Sequence, residues 1–116
     1  MRRIEHSEWV AAGTRRYGLD PMAWRFRCPS CQHVASVLDY RAAGFTEGGV
    51  AYSCVGRNLP VSREAFVPGA GPCDYTSGGL FNLSPIEVVF PDGTSRPAFD
   101  FADDPLVPVS ARPVIG

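Results

Sequence analysis

Lysine is missing altogether: the eleven basic side chains other than histidine are all arginine. Alongside abundant Ala, Gly, Pro and Val, this fits a GC-rich coding bias, and it weakens the arginines as a signal for nucleic acid. Only two histidines are present, and there is no Gly-rich phosphate loop or Ser/His/Asp set, so the chain is expected not to be an enzyme. No apolar run approaches the ~18–20 residues that cross a bilayer, and the start, Met1-Arg2-Arg3-Ile4-Glu5-His6, lacks the apolar stretch of a signal peptide. Four cysteines in 116 residues are too few for a dense disulfide scaffold. The expectation is a soluble protein of a reducing cytoplasm with no membrane association, where paired cysteines bind metal more often than each other.

At 45% apolar, 116 residues suffice for one modest core, small enough for a metal staple to matter. We expect a single metal-stabilised domain over residues 1–102 and a Pro-rich extended arm over 103–116, where Pro105, Pro108 and Pro113 interrupt an apolar stretch. Net charge is −1 but uneven: residues 1–63 hold nine arginines against five acids, and residues 64–116 hold two against seven.

Along the chain, Ser7 can cap a short helix over residues 8–17, ended by Gly18. Trp24 and Phe26 then alternate with Arg25 and Arg27, the period of a strand with one buried face that delivers Cys28. Ser36 and Asp39 fit a capping pattern for a second helix to about Ala43. Residues 50–56 fit helix and strand about equally, with strand the reading adopted, and 58–72 is a Pro/Gly-rich loop. Leu80, Phe81 and Leu83 mark a strand. Ile86, Val88 and Phe90 mark another, turning at Pro91-Asp92-Gly93 into a return strand with Pro97, Phe99 and Phe101 on one side. Pro97 cannot donate to a ladder, so that strand belongs at an edge. The class is α+β: a small antiparallel sheet of three to four strands, a four-cysteine corner and two short helices.

Cys28-Pro29-Ser30-Cys31 places two sulfurs on one tight turn, and Cys54 and Cys73 supply two more. Zn²⁺ takes four such donors in a tetrahedron, so one structural zinc per chain, held by Cys28, Cys31, Cys54 and Cys73, is expected. Cys54 and Cys73 are separated by 18 residues, so the second half of a zinc-ribbon-like site is split and opened by the 58–72 loop. His33 or His6 replacing one cysteine stays open as an alternative, as do free buried cysteines; the close spacings of ferredoxin clusters are missing. The four thiolates would carry a formal −2, which peptide N–H groups and Arg25, Arg27 and Arg57 are placed to offset. A deaminase reading from His6-Ser7-Glu8 and Cys28 fails, because Arg27 stands where that signature has Pro and two cysteines are left over.

The runs W-R-F-R-C-P-S-C-Q-H-V, Y-S-C-V-G-R and G-P-C-D-Y-T-S-G-G-L-F together resemble a family of small zinc-ribbon-like proteins carried by bacteriophages and prophages, over roughly residues 6–101. That resemblance implies a phage origin and a host-cytoplasm setting and brings no activity with it. Two functions compete. One is a phage-type accessory protein that binds a host or phage protein, for instance to inhibit a host defence system such as CRISPR, through Arg63, Phe66 and Val67 on the loop. The other is a nucleic-acid-binding zinc ribbon using Arg15, Arg16, Arg25, Arg27 and Arg41 on phosphates; near-neutral charge and the acidic second half count against it.

Overall fold

The computed structural model describes residues 2–67, 69, 71–78 and 82–102. In chain order these form β1 (Arg2–Glu5), α1 (His6–Tyr17), β2 (Arg25–Arg27), β3 (Val34–Ser36), α2 (Val37–Ala42), β4 (Ile86–Val89), β5 (Ser95–Ala98) and β6 (Asp100–Phe101), with short 3₁₀ turns at Pro21–Ala23, Glu47–Gly49 and Val55–Asn58. The α+β class holds, with two short helices and a cysteine corner. The strands divide into two three-stranded sheets, β1-β4-β5 and β3-β2-β6. The first is mixed, because β1 runs parallel to β4 with Arg2 opposite Ile86 and Glu5 opposite Val89.

Alternation around Phe26 produces β2 as its pattern requires: Trp24, Phe26 and Cys28 turn inward and are buried. Phe26 lies opposite Ala35 of β3 on one side and Phe101 of β6 on the other. Trp9 joins from α1, stacking on Phe26 at 6.0 Å and on Phe101 at 5.8 Å. Trp24 and Phe26 are therefore core residues. Trp24 also explains a glycine in mid-helix: a Cβ on Gly13 would come within 2.5 Å of its ring.

Helix α1 starts two residues earlier than expected, with Glu5 at the N-cap and no side-chain cap. Ser7 falls inside the first turn because β1 runs into the helix without a loop. Gly18 ends it at φ 91°. Helix α2 has the capping box read from Ser36 and Asp39: Ser36 Oγ accepts the Asp39 N–H at 3.0 Å, and Asp39 accepts the Ser36 N–H at 2.9 Å.

Residues 50–56 are not a strand. Tyr52 and Ser53 N–H groups both donate to Gly49 O, Ala51 sits left-handed at φ 58°, and only an isolated bridge, Ser53 to Thr76, remains of the pairing. The β4–β5 hairpin forms at Pro91-Asp92-Gly93, with Gly93 at φ 90° and Asp92 accepting both the backbone and hydroxyl protons of Thr94. Pro97 does lie on the edge strand of its sheet. The return strand is broken at Phe99, whose N–H leaves the sheet to donate to Ala51 O at 2.8 Å, and the chain passes into the other sheet as β6. Leu80 and Phe81, and the arm over 103–116, lie outside the described residues; Leu83 is in irregular chain. No described helix is long and apolar enough to cross a membrane.

Candidate metal centre

The first two sulfurs are set by a tight turn after β2. Cys28 N–H donates to His33 O and Gln32 N–H to Cys28 O, with Gln32 at φ 67° closing the turn. Backbone N–H groups aim at the sulfurs: Ser30 N–H at Cys28 Sγ and His33 N–H at Cys31 Sγ, both at 3.4 Å. Such donors stabilise thiolates and offset the charge of a four-thiolate site.

The other two sulfurs arrive on separate segments that are packed backbone to backbone. Cys54 N–H donates to Tyr75 O at 2.9 Å, and Arg57 reaches Asp74 O. Gly56 makes the approach possible, since a Cβ there would stand 2.3 Å from Cys73 O. The split second half of the site is thus closed by Cys54-Val55-Gly56 lying against Cys73-Asp74-Tyr75.

All four Sγ atoms lie within 4.8 Å of one another, with Cys28 to Cys73 at 3.8 Å and Cys31 to Cys54 at 3.7 Å. A tetrahedron with metal–sulfur bonds of ~2.3 Å has edges of about 3.8 Å, so these two pairs stand at the edge length of a zinc–thiolate site and the cluster is compact enough to be consistent with a zinc-ribbon-like one. None is in a disulfide; Cys28, Cys54 and Cys73 are buried and Cys31 is partly exposed. Hydrogen bonding from Cys28 brings the Cys54 thiol down to about 5. The same bond, with burial, pushes Cys28 far up, and burial pushes Cys73 up to about 11.

Among the described residues this ligand group contains cysteines alone. His33 enters only through its backbone, and His6 stacks on Phe90 at 4.9 Å. Of the five arginines weighed for phosphate binding, four are engaged within the molecule. Arg16 lies over Phe101, Arg25 lies over Tyr17, Arg27 donates to Ala102 O, and Arg41 reaches Met22 Sδ. Arg15 is exposed at the end of α1.

On the loop, Phe66 is 57% exposed and Val67 46%. Phe66 stands at φ 68° with its ring edge-on to Tyr75 at 5.9 Å. Arg63 is a clamp within the loop: its guanidinium donates to Gly71 O at 3.0 Å and to Val67 O. Sequence reasoning passed over Ser30, which accepts the Phe66 N–H, and Asp74, which accepts the Ala65 N–H. Their positions beside ligand cysteines were the available signal.

No curated protein and no solved structure matches the chain. A family model described as VVA0879-like matches residues 5–102, from the last residue of β1 through all four cysteines to one residue past β6, and the chain belongs to that family.

Proposed function

We propose that the corner takes one structural Zn²⁺ and that the protein is a non-catalytic binding module, presenting the loop between Cys54 and Cys73 to a protein partner. Four thiolates fill a tetrahedral coordination sphere, leaving no position at which water could be activated, so the cation's role is to fix geometry. The observation that carries the reading is Phe66: a large aromatic side chain, more than half exposed, kept in the left-handed region. That conformation costs an L-residue about 1–2 kcal/mol and persists where surrounding contacts impose it, commonly at functional sites. Exposed aromatic anchors of this kind supply much of the energy of protein interfaces. The resemblance to small phage and prophage proteins makes a host or phage protein, such as a component of a defence complex, the partner class to try first. Nucleic-acid binding draws less support, because Arg16, Arg25, Arg27 and Arg41 already have internal partners.

Phe66→Gly tests the reading, because glycine tolerates φ 68° while removing the ring. The relief, roughly 1 kcal/mol, offsets the lost contact with Tyr75, so zinc content and melting temperature are expected to hold or rise slightly. Affinity purification from host cells should recover a stoichiometric protein with the wild type and lose it with the variant. Equal recovery on both would place the contact surface elsewhere.

A further inference from the structure

Two ligand-bearing segments grip the same short stretch of loop. From the Cys28–Cys31 turn, Ser30 Oγ accepts the Phe66 N–H at 3.3 Å. From the other side, Cys73 forms a parallel bridge with Arg63. Arg63 N–H donates there to Pro72 O at 3.2 Å and Asp74 N–H to Arg63 O at 3.0 Å. Asp74 Oδ1 adds the Ala65 N–H at 2.7 Å. Residues 63–66 are thus held between two jaws that meet where Cys28 Sγ and Cys73 Sγ stand 3.8 Å apart. A cation at that point would tie the jaws together. Phe66 is the residue that needs them, since a bulky side chain at positive φ stays there only while its surroundings dictate it.

We propose that metal occupancy of the cysteine corner is the latch for the Phe66 tip, with Ser30 and Asp74 as the positioning residues that transmit it. With the cation bound, the jaws hold residues 63–66 and the ring is displayed; without it, the jaws part and the tip relaxes to ordinary backbone. The proposal rests on the reading of this tip as the partner's contact, and it makes partner binding conditional on metal. Regulation here would be a change in the population of a displayed loop, with no metal–partner contact required.

The loop can be read in the purified full chain without any partner, by the rate at which chymotrypsin cuts after Phe66. In zinc-loaded protein, Ser30→Ala is expected to keep one metal per chain and an unchanged thiolate-to-cobalt charge-transfer spectrum on Co²⁺ substitution. Cleavage after Phe66 should nevertheless be about fivefold faster, the population change that one lost hydrogen bond produces. Ser30→Thr, which retains the hydroxyl, should restore the wild-type rate, and Asp74→Ala should accelerate cleavage from the opposite jaw. Wild-type cleavage rates in both Ser30→Ala and Asp74→Ala would overturn the proposal, as would equal protection of this bond in zinc-depleted and zinc-loaded protein. Because no partner is present, failure here is distinct from failure of the contact reading, which Phe66→Gly tests by capture.

Discussion

Gly56 marks the point where two pieces of backbone share one space. A methyl group there would have to push against the Cys73 carbonyl at 2.3 Å, and backbone on both sides leaves nothing flexible to yield. Gly56→Ala is therefore expected to cost about 1–3 kcal/mol or more, the usual range for overpacking, and to lower zinc content by moving Cys73 away from Cys54. A variant with normal metal stoichiometry and an unchanged melt would show that the two segments are not held in register by this contact. The same scale shows what the sequence made legible. The cysteines identified themselves by type and by the C-x-x-C spacing, whereas Ser30 and Asp74 matter through contacts 36 and 9 residues away, to Phe66 and Ala65. Arg63 was read as a residue for a partner because nothing in its own neighbourhood reveals that its guanidinium closes the loop onto Val67 and Gly71.

Among the elements, α2 is the clearest case of local chemistry agreeing with the fold, since its capping box lies within four residues. Its buried side chain looks outward from that local pattern: Tyr40 is 1% exposed and its hydroxyl donates to Ser53 O at 2.7 Å. Burial, reinforced by the negative charge of the nearby cysteine cluster, pushes the Tyr40 phenol well above its ordinary value. Its contribution to stability is therefore fully present below about pH 10 and is lost as pH rises towards the folded value. In an alkaline titration followed by tyrosinate absorbance, one tyrosine should ionise only with unfolding. Tyr40→Phe should remove that late component and cost about 1 kcal/mol, because Ser53 O loses its side-chain donor. A single early titration with no late component would contradict the burial assigned to this ring.

Strands were less legible than helices, for identifiable reasons. β1 has one apolar residue, Ile4, among four, and pairs with a strand more than 80 positions away, so no local periodicity announces it. β5 and β6 look like one alternating strand because Phe99 and Phe101 are both apolar and both buried. The break at Phe99 is imposed by Ala51, a partner that the pattern of residues 95–101 does not contain.

For the whole molecule, the aromatic core and the candidate metal centre are one body. Cys28, Cys54 and Cys73 belong to the same buried cluster as Trp24, Phe26, Tyr75, Phe99 and Phe101. Structural zinc contributes roughly 10–16 kcal/mol of apparent binding energy in small domains, so a strong chelator is expected to lower the melting temperature sharply, with core and corner melting as one. Far-UV and near-UV signals should be lost together, and a chelated protein with an unchanged melt would refute the structural role. Binding should also release protons. Because thiols must give up their protons to bind a cation, zinc added to weakly buffered protein should acidify it, with apparent affinity falling as pH falls.

The parallel pairing of Arg2–Glu5 with Ile86–Val89 also sets a timetable for synthesis. The four sulfurs are all present once Cys73 has cleared the ribosome, so the corner is free to close while the first strand still has no partner. Arg2–Glu5 must wait, beside an already helical α1 at most, until Val89 emerges. Closing so long a loop late is slow compared with local pairing. During that interval the strand stays unpaired, with Arg2, Arg3 and Glu5 supplying the charge that discourages neighbouring chains from pairing with it first.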